Sequence, residues 1–454
     1  MNGKPYAIGQ GELRRVIAQA AMAEGVGLAA LTVLAPVRDP YRLDTLAGHT
    51  IGEWCGKQVE RFVRAGQSVH LRGLHYRLVS APEPVLKPDG TPYRNTDDDW
   101  TWLLERASKA ARWLGYVPFE RIRDERNAAP DIYVPDARAL GTPYVSAHVY
   151  SDGDEPPEQP ALSLVFSGFH PPDQPYRVAL IAEKSSVGDV LRPLAQEIGA
   201  ELILPTGEIT DTLIYEMAAR ADEDGRPLAV LYFSDFDPSG HQMPISVARK
   251  VQALRDLSFP DLNARVIPAA LTLDQVIALN LPSTPLKETE RRGDRWRAAM
   301  GREQTEIDAL AALDPAALVT IAREAIAPFF DATLAARHAA RERAWREAAE
   351  QWLDDWRAAD DGSLDFRLYG AWSAFSEAHD AYEATLRDAE ATLDRAYQED
   401  ESRPGRPEPV EVEIDAAAPD PLFSTADDYA TASRKLIARK SLDGMDTNGT
   451  ASSP

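Results

Sequence analysis

The chain has 454 residues, more than one hydrophobic core usually serves, so two or three domains are expected. Cys55 is its one cysteine, which excludes a disulfide framework and a cysteine-ligated zinc site and fits a reducing cytosol. A net charge of −23 argues against a uniformly basic nucleic-acid binder, yet the acid gathers late in the chain, as at Glu399-Asp400-Glu401, while 57–77 sets Lys57, Arg61, Arg64, Arg72 and Arg77 against Glu60 alone.

Residues 1–50 form a helical lead, with a helix over Gly11–Ala23 and prolines at 36 and 40. The longest uncharged apolar run, Gly25–Val37, falls short of the roughly 20 residues a membrane helix needs, and no secretory leader pattern opens the chain. A soluble, cytoplasmic protein with no membrane partner is expected. In 51–150, a helix over 51–64 turns inward Ile51, Trp54, Val59 and Phe62. Ala65-Gly66-Gln67 makes a turn, and Ser68 is the expected N-cap of a second helix ending at Val79. A third helix runs from Asn95 or Thr96 to Gly115, followed by an extended segment to Ile122. Two helices joined by a short glycine turn, with a third behind, predict a winged-helix (CAP-like) module. An acid- and proline-rich linker follows at 151–175.

From Tyr176 strands and helices alternate. Strands are expected at Arg177–Ile181, Leu202–Leu204, Leu228–Phe233 and Ala264–Ile267, with helices between them and Ser186 with Asp189 as a capping box. This predicts a doubly wound parallel-sheet domain over 176–330 in a multidomain α/β chain. Residues 332–359 and 369–398 read as an antiparallel helical hairpin within 331–400. The span 401–454 reads as a linker and a largely disordered tail, with one short helix near 424–440.

In a doubly wound sheet, ligands bind off the carboxyl ends of the strands. Glu183 follows the first strand and Asp235-Phe236-Asp237 follows the third. Carboxylates gathered there repel one another unless a cation neutralises them, and hard oxygen donors suit Mg²⁺, with Mn²⁺ as a substitute. Solvated loop acids or helix caps are the plainer alternative, and a haloacid-dehalogenase-like phosphatase also places Asp-x-Asp after a strand, though after its first.

The runs Ala179-Leu-Ile-Ala-Glu183-Lys184, Pro205-Thr-Gly-Glu-Ile and Tyr232-Phe-Ser-Asp235-Phe-Asp237-Pro238-Ser-Gly240 resemble a Toprim domain over 176–260. The Asp-x-Asp-Pro-x-Gly form is most similar to the topoisomerase VI A subunit and the related meiotic double-strand-break transesterase. The resemblance implies DNA cleavage, with Mg²⁺ on Glu183, Asp235 and Asp237 and an acid–base role for Glu183. Arg72-Gly-Leu-His75-Tyr76 resembles that family's Arg-x-x-Tyr-Tyr, which implies Tyr76 as nucleophile and Arg72 as its phosphate-binding helper, with His75 in place of the first tyrosine. A tyrosine hydroxyl titrates near ~10, so it needs help, for which Arg72, His75 and Arg77 are candidates. Packing on a helix face is the alternative role for Tyr76.

The family pattern further implies double-stranded DNA as partner, a homodimer pairing Tyr76 of one copy with the metal of the other, a separate ATPase subunit and a place at the nucleoid. Gly56-Lys57-Gln58 does not make a P-loop. Glu306 and Asp308 are further acids that add to the site or begin a helix, and His241 beside Gly240 reads as a cap or surface residue. A hydrolytic Toprim nuclease subunit of a bacterial DNA-processing or plasmid-defence complex, and a non-catalytic DNA-binding scaffold, are the alternative functions.

Overall fold

A computed structural model describes residues 11–124, 128–135, 144–150, 161–170, 172–205, 207–373, 379–405, 410–414 and 417–442. Helix α1 (Glu12–Glu24) buries Leu13, Ile17 and Ala21, four residues apart, and stops at Gly25 in the left-handed region. The short α2 (Pro40–Leu43) starts on the Asp39 cap. Helix α3 (Leu46–Phe62), β1 (Val69–His70), α4 (Leu71–Val79), α5 (Asp97–Trp102), a π turn at Leu103–Ala107, α6 (Ser108–Trp113) and β2 (Ile122–Arg123) then share one core, which includes Trp54, Val59, Leu74, Leu78, Leu103 and Ile122. Helix α3 lies so close to the end of α6 that a Cβ on Gly52 would meet the Tyr116 ring at 2.8 Å and Ala110 O at 3.0 Å.

The third helix begins on Thr96 and ends before Gly115 (φ 75°), as expected. The second does not begin on Ser68. Val69–His70 is drawn into a strand parallel to Ile122–Arg123, so the helix starts later and His70 Nδ1 accepts from Arg72 N–H at 3.1 Å.

After β3 (Asp131–Ile132), and β4 (Tyr144–Tyr150) and β5 (Ala161–Ser167) described below, the α/β part runs β6 (Arg177–Ala182), α7 (Gly188–Ile198), β7 (Glu201–Ile203), α8 (Asp211–Asp224), β8 (Leu228–Phe233), α9 (Pro238–Leu257) and β9 (Ala264–Ala270). With β10 (Phe423–Ser424) the sheet order is β10-β9-β8-β6-β7-β3. All six residues of β6 and of β8 are buried, as a strand covered on both faces must be. On one face Ala179, Ile181, Val230 and Tyr232 pack with α8 and α9; on the other Val178, Leu180, Leu231 and Phe233 pack with α7. The second face is extended by α10 (Leu273–Ala278), α11 (Gly293–Met300), α12 (Ile307–Leu313) and α13 (Pro315–Ile326), which contribute Val276, Trp296, Leu310 and Leu318.

The sheet is mixed rather than wholly parallel, because β3 and β10 close its edges antiparallel. Each is two residues long and comes from outside the β–α series, too short to leave a pattern in the sequence. The chain divides into two units. The first takes Met1–Pro135, Pro175–Phe330 and Ile414–Pro454, and the second takes Asp136–Gln174 and Asp331–Glu413.

In the second unit β4 and β5 form an antiparallel pair from Tyr144↔Ser167 to Tyr150↔Ala161. Helices α14 (Leu334–Ala359), α15 (Ser363–Ser373) and α16 (His379–Glu399) share a core with them that includes Val145, Trp345, Trp352, Leu368 and Leu393. The span read as a linker therefore contains a strand. Its acid- and proline-rich part, 151–160, lies outside the described residues, between two segments that each pair in the ladder. The expected two-helix hairpin is three helices with a strand pair. In the tail, Leu436 of α17 (Tyr429–Leu442) joins the core that Phe423 of β10 enters.

Candidate active site

From β6, α7 leads to β7 on one side, and α8 leads back to β8 on the other. The carboxyl ends of β6 and β8 thus flank the point where the winding reverses, the place where open α/β sheets bind ligands. Glu183 extends the β6–β8 pairing by one rung, its N–H donating to Phe233 O at 2.9 Å. Ser234 is tied to the end of β9, its N–H reaching Ala270 O at 2.6 Å and its carbonyl accepting from Leu271 N–H at 2.8 Å. Phe236 pairs with Thr305 through N–H donations in each direction, at 2.8 and 3.0 Å.

Asp237 caps α9, its Oδ1 accepting from Ser239 N–H at 2.8 Å and Gly240 N–H at 2.7 Å, with Pro238 at the first helical position. The turn is tight enough that a Cβ on Gly240 would stand 2.1 Å from Asp235 O. Only glycine fits there.

The three carboxylates feel one another. Glu183 Oε2 accepts from Asp235 N–H at 3.0 Å. Burial first, then the charges of Asp235 and Asp237, push the Glu183 carboxyl up to about 7. Burial also raises Asp235, against the Ile307 N–H, which donates to Oδ1 at 2.8 Å, and Lys184, whose Nζ lies 3.0 Å from Oδ2. Lys184 loses hydration, which disfavours its charge, but Glu306, Asp235 and Asp308 more than offset this and hold its pKa above the usual lysine range.

The donor chemistry fits Mg²⁺ or Mn²⁺: three hard carboxylates, with the proton affinity of Glu183 raised first by burial and then by its two acidic neighbours, whose repulsion a divalent cation would relieve. Among the described residues no three His, Cys, Asp or Glu side chains surround one point as they stand. Each carboxylate is turned to a partner in the protein, Asp237 to its helix, Glu183 to a backbone amide and Asp235 to Ile307 and Lys184.

Tyr76 sits on α4 with 55% of its surface exposed. Arg72 stacks its guanidinium 4.0 Å over the Trp100 ring. Of the other proposed helpers, His75 is buried, its ring nitrogens 2.8 Å from Tyr93 Oη and 3.1 Å from Asn95 Oδ1. Arg77 donates to Phe62 O at the end of α3. Among the described residues, no hydrogen bond, ion pair or ring contact joins Tyr76 or Arg72 to Glu183, Asp235 or Asp237.

Glu306 and Asp308, flagged in the sequence, reach the site through Lys184, at 3.0 and 3.3 Å. Lys184 itself was not singled out; its signal is its place directly after Glu183. His241 is buried against Phe236 and Trp296, with centroids 5.5 and 4.8 Å away, rather than on the surface.

No model of a known protein family matches the chain, and no curated protein matches it.

Proposed function

We propose that the chain breaks DNA by metal-dependent attack on the phosphodiester backbone, in the manner of the topoisomerase VI A subunit. In this reading α3–α6 with β1 and β2 act as a winged helix, and the β6–β9 sheet acts as a Toprim domain. The observation that supports it is the placement of Glu183, Asp235 and Asp237 after the adjacent carboxyl ends of β6 and β8, at the reversal point of the sheet, where Glu183 accepts from the Asp235 N–H. A divalent ion held there by these residues would supply positive charge to the phosphate and to the departing oxygen.

The Tyr76 hydroxyl releases its proton to solvent as its oxygen forms the new O–P bond, the bond from phosphorus to the 3′ oxygen breaks, the 3′ oxygen takes up a proton, and the 5′ phosphate remains on the tyrosine. The acid–base role toward the leaving oxygen falls to Glu183 by its resemblance to the topoisomerase VI A pattern. Arg72 would bind the phosphate. Tyr76 then serves the carboxylates of a second copy, which makes the working form a homodimer on double-stranded DNA, with any ATP use supplied by a separate subunit.

A hydrolytic nuclease is the second reading. It is favoured by the engagement of each proposed helper of Tyr76 elsewhere in the protein, His75 with Tyr93 and Asn95, Arg77 with a backbone carbonyl and Arg72 with the Trp100 ring.

Supercoiled plasmid with Mg²⁺ or Mn²⁺ tests both, using wild type, Tyr76→Phe and Asp235→Ala. Transesterification predicts breaks with protein-linked 5′ ends, absent in both variants. Free-ended breaks that survive Tyr76→Phe but not Asp235→Ala make the protein a hydrolytic nuclease. DNA binding without cleavage by any form contradicts both readings for the chain acting alone, and leaves a missing partner subunit or a non-catalytic DNA-binding scaffold.

A further inference from the structure

The ammonium of Lys184 lies 3.0 Å from Asp235 Oδ2, 3.0 Å from Glu306 Oε2 and 3.3 Å from Asp308 Oδ2. Its three partners differ in depth. The Asp235 side chain is 8% exposed, those of Glu306 and Asp308 49% and 38%. The other oxygen of Asp235 is taken by the N–H of Ile307, which stands between those two acids. Both oxygens of Asp235 therefore already have partners within the protein.

A divalent ion can use Oδ2 only when Lys184 releases it, since two cations crowded on one oxygen repel. Lysine is suited to such a release. Its charge sits on a flexible four-carbon stem with rotatable donors, so it can leave one carboxylate while staying on others.

We propose that Lys184 is the resident counter-ion of the carboxylate site, exchanging with divalent metal at Asp235 and waiting on Glu306 and Asp308 while the metal is bound. This rests on the metal-site reading above and assigns that site its regulation. Lys184 and its two outer acids are positioning residues that set metal affinity from opposite sides. Without Lys184 the metal meets no competitor. Without the charges of Glu306 and Asp308, Asp235 becomes the partner Lys184 has left, and the metal must displace a more firmly held cation.

The test is a Mg²⁺ titration of the whole chain read by melting temperature, with no activity required. Lys184→Met is expected to melt lower without metal, yet to half-saturate at about tenfold less Mg²⁺. The double variant Glu306→Gln, Asp308→Asn is expected to half-saturate at about tenfold more. Shifts in the same direction, unchanged half-saturation, or weaker Mg²⁺ binding by Lys184→Met would overturn the exchange.

Asp235→Ala separates this from the site reading. A wild-type response that survives Asp235→Ala places the ion elsewhere and sinks both. A wild type that responds only weakly beside a strongly responsive Lys184→Met supports the exchange. If neither protein responds, metal binding and exchange fall together.

Discussion

A carboxyl buried beside two others holds its proton more tightly in the folded chain than in the unfolded one, and Glu183 does so by moving from 4.5 to about 7. The sign follows from linkage. The stability this group contributes without metal is fully present below pH 4.5 and is lost as pH rises through about 7, in all about 3 kcal/mol. Glu183→Gln should flatten the pH dependence of the metal-free melting temperature over that window and melt higher than wild type at pH 8. Identical slopes for the two proteins would show that Glu183 is not the titrating group. The three carboxylates were legible because two strand ends could be placed by their apolar runs. Their individual partners were not legible, since Ile307 N–H reaches Asp235 from 72 positions away.

At the scale of elements, the helical module and the sheet domain meet through Asp211. It is buried, accepts from Trp113 Nε1 at 2.9 Å, and lies 2.8 Å from Lys250 Nζ and 4.0 Å from Arg112. Burial works against its charge, but Lys250, Lys109 and Arg112 hold its pKa far below the usual carboxylate range. Asp211→Asn would remove the nearest counter-charge of buried Lys250 and Arg112, leaving Lys250 only Glu208 at 3.9 Å, and the loss of a buried pair of this kind costs about 3–5 kcal/mol. Urea unfolding should show that loss, whereas a change of under about 1 kcal/mol would mean that the Asp211 ion pairs add little to this junction.

Helix starts show what sequence conveys at this scale. Thr96 was readable because its hydroxyl meets a donor three residues on. Ser186 looked equivalent, yet its hydroxyl donates to Asp308, 122 residues away, and a short 3₁₀ turn over Ser185–Val187 precedes α7. A local motif predicts a cap only when no distant acceptor competes for it.

Across the whole molecule, the α–β alternation was visible from 176 onward because long buried strands carry their own apolar signature. What escaped detection is assembled from remote pieces. Arg249, fully buried in α9, bonds Asp39 at 2.9 Å, Ser433 at 3.2 Å and Tyr429 Oη at 2.5 Å, joining the two ends of the chain to the α/β core. The strand pair of the second unit likewise joins 144–167 to helices that begin at 334. No periodicity announces partners that far apart.

The net charge of −23 gives DNA binding little general electrostatic support. On the proposed function, a metal ion at the carboxylates would matter for charge as well as for chemistry. Among the described residues no helix is long and apolar enough to cross a membrane.

On the proposed function, Glu183, Asp235 and Asp237 together hold a divalent ion. Titrating the chain with Mn²⁺ and following free Mn²⁺ by its electron paramagnetic resonance signal tests it directly. Saturable binding by wild type, lost in Asp235→Asn and weakened in Glu183→Gln, is the predicted result. Binding that both variants retain undiminished, or no binding by wild type, would contradict it.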